Sequence, residues 1–165
     1  MSLEPASSIE ANSEIPGAVC AISHTLNVDE IIKSVGSDGH GANVFFVGTT
    51  RNTFQGKNVT HLEYQAYSKL AIKTMVDIVK AAQLSGPQIV DGSQVVSSLR
   101  CAVHHRIGVV PVGEPSIVIA VSAPHRKEAF VACEFILEEV KHKAQIWKRE
   151  YYEGEEYDAE WKTNK

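Results

Sequence analysis

Apolar and polar residues alternate in several short runs of the chain, a pattern typical of β-strands with one buried face. Many of these runs are also rich in β-branched and aromatic side chains. Strands are predicted at residues 18–26, 43–50, 59–67, 95–108 and 116–123. The segments at 85–94 and 109–115 contain Gly and Pro, and they are predicted to be connections.

Three other segments place apolar residues at helical spacing. A short helix is predicted from residue 28 to 35, because Asn27 precedes it as a candidate N-cap. A second helix is predicted over 68–83, and a third begins just after Pro124. The mixture of helices and strands predicts an α/β (α+β) fold.

The end of the third helix matters, because two lysines of KHKAQIWKRE (141–150) stand seven residues apart. If the helix continues to Glu150, Lys141 and Lys148 share one face and lie about 10 Å apart along it. If the helix ends near Lys143, IWKREYY becomes a strand and the lysines converge only through the fold. The aromatic and β-branched content of IWKREYY favours the strand.

Length and composition predict one domain. The chain has 165 residues, of which 44% are hydrophobic, enough for one core but few for two. Residues 1–17 are predicted to be a disordered tail and 18–165 the folded domain.

The start of the chain lacks a targeting pattern, and no apolar run reaches the roughly 18 residues of a membrane span. The three cysteines form no CxxC pair and suit a reducing compartment, so the cytosol is expected.

Charge narrows the function. The formal net charge of -4 argues against a protein that coats nucleic acid through bulk positive charge. Yet several basic side chains fall at predicted ends of helices or strands: Arg51, His105, Arg106, His125, Arg126, Lys141 and Lys148. Together they suggest a pocket for a phosphate or carboxylate, although each alone could be a solvated surface residue or, for Lys141, a last-turn cation facing the helix dipole.

Familiar nucleophile and nucleotide motifs are absent: the sequence has no P-loop, no GxGxxG after a strand, no HExxH and no GxSxG. Cys20 and Cys133 fall on apolar faces, where a buried, unreactive thiol is expected. If the protein is an enzyme, its nucleophile is therefore expected to arrive with a substrate.

Four segments together resemble the large, catalytic subunit of molybdopterin synthase, of the MoaE type and especially its eukaryotic members. They are VFFVGTTRN (44–52), LEYQAY (62–67), HHRIGVVPVGEPSIVIAVSAPHRKEAF (104–130) and KHKAQIWKRE (141–150). The similarity extends over about residues 18–165. Each motif is weak alone, whereas their combination in this order is specific.

The resemblance implies an α/β hammerhead fold with an additional antiparallel β subdomain, and a homodimer that binds a small ubiquitin-like sulfur carrier at each end. Two successive transfers, each of the one sulfur on a carrier's C-terminal thiocarboxylate, would convert precursor Z, a cyclic pyranopterin monophosphate, to molybdopterin. The resemblance implies no cofactor and no metal, and neither nucleic acid nor a membrane as partner.

The resemblance also assigns residues. Lys141 is expected beside the incoming glycine carbonyl, as electrostatic stabiliser or proton donor, and Lys148 is expected to position the substrate and neutralise charge. His125 and Arg126 are expected to bind the pterin phosphate, and Arg51 the substrate.

Lys165 is the expected counterpart of a basic residue that the neighbouring protomer contributes. His105 and Arg106 match the H-R-I-G motif without an assigned role. The family commonly has proline where this chain has Gln145.

Two other functions are compatible with the residues of this chain. A non-catalytic scaffold that captures a ubiquitin-like tail would not need both lysines. A small RNA-binding domain would need a continuous aromatic and basic surface, which the acidic balance disfavours.

Overall fold

A computed structural model describes residues 8–154 and 160–164. The described helices are α1 (Val28–Ser34), α2 (Ser68–Ser85) and α3 (Arg126–Lys143). The described strands are β1 (Ala11–Ile15), β2 (Ala18–Ser23), β3 (Ala42–Thr49), β4 (Thr53–Phe54), β5 (Lys57–Ala66), β6 (Gln88–Asp91), β7 (Gln94–Ser97), β8 (Arg100–Arg106), β9 (Gly108–Pro111), β10 (Pro115–Ala123), β11 (Ile146–Tyr152) and β12 (Trp161–Thr163). The mixed α/β class predicted from the sequence is confirmed.

The main sheet has five strands in the order β1-β2-β8-β10-β3. β2 and β8 run parallel, and the other neighbours run antiparallel. Helices α2 and α3 pack on one face, over the large core that contains Met75, Val103 and Ile136. Helix α1 covers part of the opposite face, where Ile31 and Val118 pack together.

A second, smaller sheet is built around β5. β11 pairs with one edge of β5 and carries β12 on its outer side, whereas β4 and β9 pair with the other edge. β9 follows β8 after a single residue, Ile107, so the chain passes directly from the main sheet into the second sheet. This crossing brings the ends of β3 and β10 close to β5 and β11.

The predicted end of the third helix is confirmed. α3 stops at Lys143, and Ala144 has an extended conformation with φ -69° and ψ 140°. Strand β11 then starts at Ile146. Gln145 is fixed by two contacts: its carbonyl accepts from the N–H of Tyr67 (3.0 Å), and its side-chain Oε1 accepts from Thr74 Oγ1 (2.9 Å). The break therefore forms without a proline.

Three local predictions were wrong. Residues 11–15, expected in a disordered tail, form β1, which pairs with β2 across a tight turn in which Gly17 has φ +76°. The connection predicted at 85–94, with the start of the next predicted strand, forms the β6–β7 hairpin. The strand predicted over 95–108 is divided into β7 and β8, and β9 occupies part of the connection predicted at 109–115.

None of the helices within the described ranges is both long and apolar enough to cross a membrane.

Candidate active site

A pocket of about 190 Å³ lies where the main sheet meets the second sheet. Its walls come from the ends of β3 and β10, from the inner face of β5 and β11, and from the last turn of α3. The lining residues are Gly48, Thr49, Arg51, Thr53, Phe54, Val59, Leu62, Tyr64, Ser116, Lys141, Lys148, Glu150 and Asn164.

Three of the predicted site residues meet in this pocket. Arg51 follows β3, Lys141 lies in the last turn of α3, and Lys148 is the third residue of β11. The strand and the helix approach the pocket from different directions, so residues seven apart in sequence face one cavity. A cavity with three cations is suited to anionic ligands.

Lys141 has an unusual environment for a lysine. Burial lowers the pKa of its amine, the nearby positive charge of Lys148 lowers it further, and the Glu138 carboxylate acts in the opposite direction. A lowered pKa brings the amine closer to the range in which it can exchange a proton.

Glu150 lines the pocket and is not among the site residues predicted from the sequence. It lies two residues after Lys148, on the same face of β11, and it is only 5% exposed. Its Oε1 is 3.8 Å from Lys148 Nζ, and its Oε2 accepts a hydrogen bond from the Tyr152 hydroxyl (2.5 Å). The period-two alternation of a strand at IWKREYY was the signal that could have found it.

Tyr64 and Asn164 also line the pocket and were not predicted. Burial raises the pKa of the Tyr64 phenol, and the neighbouring Ser116 side chain acts in the opposite direction. The Tyr64 ring also meets the His105 ring edge-on, with centroids 5.0 Å apart. Asn164 follows β12, and its amide nitrogen is 2.9 Å from His105 Nε2.

His125 and Arg126 lie elsewhere. Both are exposed at the start of α3, where His125 is the N-cap residue with an extended backbone. Since α3 rises about 1.5 Å per residue, Arg126 is about 22 Å from Lys141 along the helix. A single chain therefore does not bring these two residues to the pocket. Lys165 lies outside the described residues.

Arg106 does not line the pocket. Its guanidinium lies 3.4 Å from the Glu114 carboxylate and donates to the Val109 carbonyl (3.1 Å). These contacts tie the end of β8 to β9 and to the turn that follows β9, which is a structural role.

Within residues 8–154 and 160–164, no three His, Cys, Asp or Glu side chains lie close enough together to hold a metal ion.

Comparisons with known proteins agree with this architecture. The family model described as MoaE protein matches residues 21–143. The molybdopterin synthase catalytic subunit 1 of Aedes aegypti is 44% identical over 140 residues, which are 85% of this chain and 84% of that protein. The molybdopterin synthase catalytic subunit of Taeniopygia guttata is 43% identical over 143 residues, which are 87% of this chain and 84% of that protein.

Solved structures show the same fold. The crystal structure of molybdopterin synthase from Staphylococcus aureus superposes with a TM-score of 0.74 at 28% identity, covering 86% of this chain and 94% of that one. A complex of subunits 1 and 2 of molybdopterin-converting factor from Helicobacter pylori contains a similar fold, with a TM-score of 0.64 at 23% identity over 79% of this chain and 83% of that one. The chain belongs to the MoaE family of molybdopterin synthase catalytic subunits.

Proposed function

We propose that this chain converts precursor Z to molybdopterin by directing two successive sulfur transfers, each from the C-terminal thiocarboxylate of one small ubiquitin-like carrier molecule. The observation that carries the proposal is the convergence of Arg51, Lys141 and Lys148 on one pocket. Precursor Z carries a phosphate and the carrier tail ends in a thiocarboxylate, so the reaction assembles two anions. Three cations in a partly enclosed cavity suit that task.

The protein's own thiols are poorly suited to act as nucleophiles. Cys20, Cys101 and Cys133 are free and buried. Burial raises the pKa of Cys20 and Cys101 to about 12 and that of Cys133 to about 11, which keeps each protonated at neutral pH. A sulfur delivered by a partner as an anion removes the need for a reactive cysteine. Three unpaired thiols also support a cytosolic location.

We assign different roles to the two lysines. The lowered pKa of Lys141 suits a residue that stabilises the tetrahedral intermediate at the carrier's glycine carbonyl and gives a proton to the departing group. Lys148 lies near Glu150, which offsets part of its charge and restrains its side chain. Lys148 therefore suits substrate positioning and charge neutralisation as the cyclic phosphate opens. Arg51, on the loop after β3, suits an anionic part of the substrate.

His125 and Arg126 can serve the same pocket only from a second copy of the chain. The distance of about 22 Å along α3 prevents them from reaching the Lys141 of their own chain. We therefore propose a homodimer in which the start of α3 of one protomer, together with Lys165, completes the phosphate site of the other. The carrier would bind at each outer end and thread its tail into the pocket, giving a heterotetramer. The reaction needs no cofactor in this scheme.

A non-catalytic scaffold for a ubiquitin-like tail is the alternative. It would require a channel for the tail, but it would not require a partly buried amine with a lowered pKa beside a second lysine. The environment of Lys141 favours the enzyme.

A single-turnover assay tests the proposal, with the purified chain, thiocarboxylated carrier and precursor Z, and with product detected as its fluorescent oxidation derivative. We expect Lys141→Ala to lower the rate about 10²- to 10³-fold, the usual effect of removing one group that stabilises transition-state charge. Lys141→Arg keeps the positive charge but holds its proton too tightly to donate it. This variant therefore separates electrostatic stabilisation, which arginine can provide, from proton donation, which it cannot. Lys143→Ala is the matched control, because Lys143 is exposed and pairs with Glu139 on the same helix. Product formation by Lys141→Ala at the wild-type rate would refute the role.

Mixing two inactive variants tests the dimer. Arg126→Ala and Lys141→Ala chains, unfolded and refolded together in equal amounts, should recover about one quarter of the wild-type activity. Half of the dimers are then mixed, and each mixed dimer holds one intact pocket and one doubly defective pocket. If both residues served the pocket of their own chain, mixing would restore nothing.

A further inference from the structure

His105 is buried at the end of β8 with both ring nitrogens occupied. It is 1% exposed, and its Nδ1 is 2.8 Å from the Arg106 carbonyl oxygen. Since a carbonyl can only accept, Nδ1 must carry the ring proton. Burial lowers the pKa of the ring to about 4, so the ring is neutral at pH 7 and Nε2 is an acceptor.

This tautomer fixes the orientation of the Asn164 amide. Nε2 of His105 accepts from the Asn164 amide nitrogen at 2.9 Å. Because that nitrogen is turned toward His105, the amide oxygen is the polar end left for the pocket that Asn164 lines. The pocket thereby gains a hydrogen-bond acceptor among its cations.

The strand that delivers Asn164 is held by few backbone pairs and by side-chain contacts that include the Lys162 ammonium, 5.1 Å from the centre of the Phe54 ring. β12 has three residues and pairs on one side with β11, through Trp147, Lys148 and Arg149. An edge strand of this length is weak by itself. Its described anchors beyond the ladder include the Arg149 guanidinium, 4.6 Å from the centre of the Trp161 ring, and the buried His105–Asn164 hydrogen bond.

We propose that His105 is a positioning residue: through its hydrogen bond with Asn164 it docks the C-terminal segment against the pocket and turns the Asn164 amide oxygen toward the ligand. This inference rests on the proposed function for its effect on turnover, whereas the docking itself can be measured without any substrate. It also gives His105, the histidine of the H-R-I-G motif, a role that is neither catalytic nor limited to core packing.

Hydrogen exchange of the full-length chain, followed by mass spectrometry, measures the docking. His105→Leu and Asn164→Ala both remove the hydrogen bond, and we expect the amides of Trp161–Thr163 to exchange about five- to tenfold faster in each. His105→Gln keeps an acceptor near the position of Nε2, so its exchange should remain within about twofold of wild type. His104→Gln is the matched control, since His104 is next in the strand and points to the opposite face of the sheet.

The same variants are then compared in the synthase assay. The value of kcat/KM for precursor Z should fall about five- to tenfold in His105→Leu and Asn164→Ala, and His105→Gln should retain it. The double variant His105→Leu/Asn164→Ala should have the same kcat/KM as either single variant, because both substitutions remove the same hydrogen bond.

Three results would overturn the proposal. One is unchanged exchange in Asn164→Ala, a substitution in the short C-terminal segment that is informative even if His105→Leu fails to fold. Another is unchanged turnover despite faster exchange. The third is a His105→Gln variant as defective as His105→Leu, because ring packing would then explain the effect. If the wild-type chain forms no product at all, the proposed function fails, while the exchange data still decide whether the segment is docked.

Discussion

Acidification should destabilise this protein partly through one residue, His105. Its pKa is lowered from 6.5 to about 4, mainly because the ring is fully buried; the hydrogen bond to the Arg106 carbonyl opposes this shift and the charge of Lys141 adds to it. Between these two pH values the unfolded chain binds a proton at His105 and the native chain does not. Stability must therefore fall as the pH decreases from 6.5 to about 4.

The size of this effect follows from the pKa difference. Each pKa unit corresponds to about 1.4 kcal/mol, so the full window is worth about 3 kcal/mol, and the part between pH 7 and pH 5 is worth about 2 kcal/mol. Burial also lowers the pKa of His40 and His104, so the wild-type protein has other acid-sensitive groups. A difference between two variants isolates His105 from them.

Urea unfolding at pH 7 and pH 5, followed by circular dichroism at one protein concentration, provides the measurement. His105→Gln cannot titrate, yet it can keep the hydrogen bond with Asn164. The wild-type free energy of unfolding should fall by about 2 kcal/mol more than that of His105→Gln between the two pH values. Equal losses in the two proteins, within about 0.5 kcal/mol, would refute the assignment of a neutral, buried ring.

Two further predictions concern the framework around the pocket. Met75→Ala should lower the free energy of urea unfolding by about 2–5 kcal/mol, because Met75 is fully buried. Leu84→Ala on the same helix is the control: Leu84 is 81% exposed, so its loss should lower the free energy of unfolding by less than about 0.5 kcal/mol. Similar values would contradict the assigned core. Gln145→Pro should change the free energy of unfolding by less than about 1 kcal/mol. Ala144 already has the extended backbone that a residue before proline needs. The hydrogen bond with Thr74 is lost, but proline makes the unfolded chain less flexible, and this offsets the loss. A loss above about 2 kcal/mol in the same assay would contradict it.

Most elements of the core could be predicted from the sequence because their patterns are local. Apolar residues recur at helical spacing along α2, with Met75 at the centre of the apolar face. The β-branched run of β10 is likewise typical of a buried strand. The strand at β1 could not be found this way. ANSEI has few apolar residues, and it is a strand because it lies along the edge of β2.

The sequence of the β6–β7 hairpin contains a local turn signal. Asp91 pairs with Gln94 across the two-residue loop Gly92-Ser93, and Gly at the first loop position, here with φ +65°, is typical of tight hairpins. The division between β8 and β9 had a weaker signal, Gly108, whose φ of +85° lets the chain change sheets.

The candidate site was predictable only in part. Arg51, Lys141 and Lys148 were selected as cations at element ends, and the fold brings them together. Asn164 could not be selected, because its partner His105 is 59 residues away and the contact depends on the packing of two sheets. Contacts of this kind arise from tertiary structure and leave no local pattern.

The break between α3 and β11 explains how this pocket acquires its charge. On one continuous helix, Lys141 and Lys148 would lie about 10 Å apart on a solvated face and would interact weakly. Because the chain turns at Ala144 and Gln145, one lysine enters from the end of a helix and the other from a strand. Burial and the charge of Lys148 lower the pKa of Lys141, and the Glu150 carboxylate lies 3.8 Å from Lys148 Nζ. Extending α3 through residue 150 would move Lys148 and Glu150 away from the pocket together. The positions that end the helix therefore decide whether both lysines reach the pocket, and Gln145, at that end, contacts Tyr67 and Thr74.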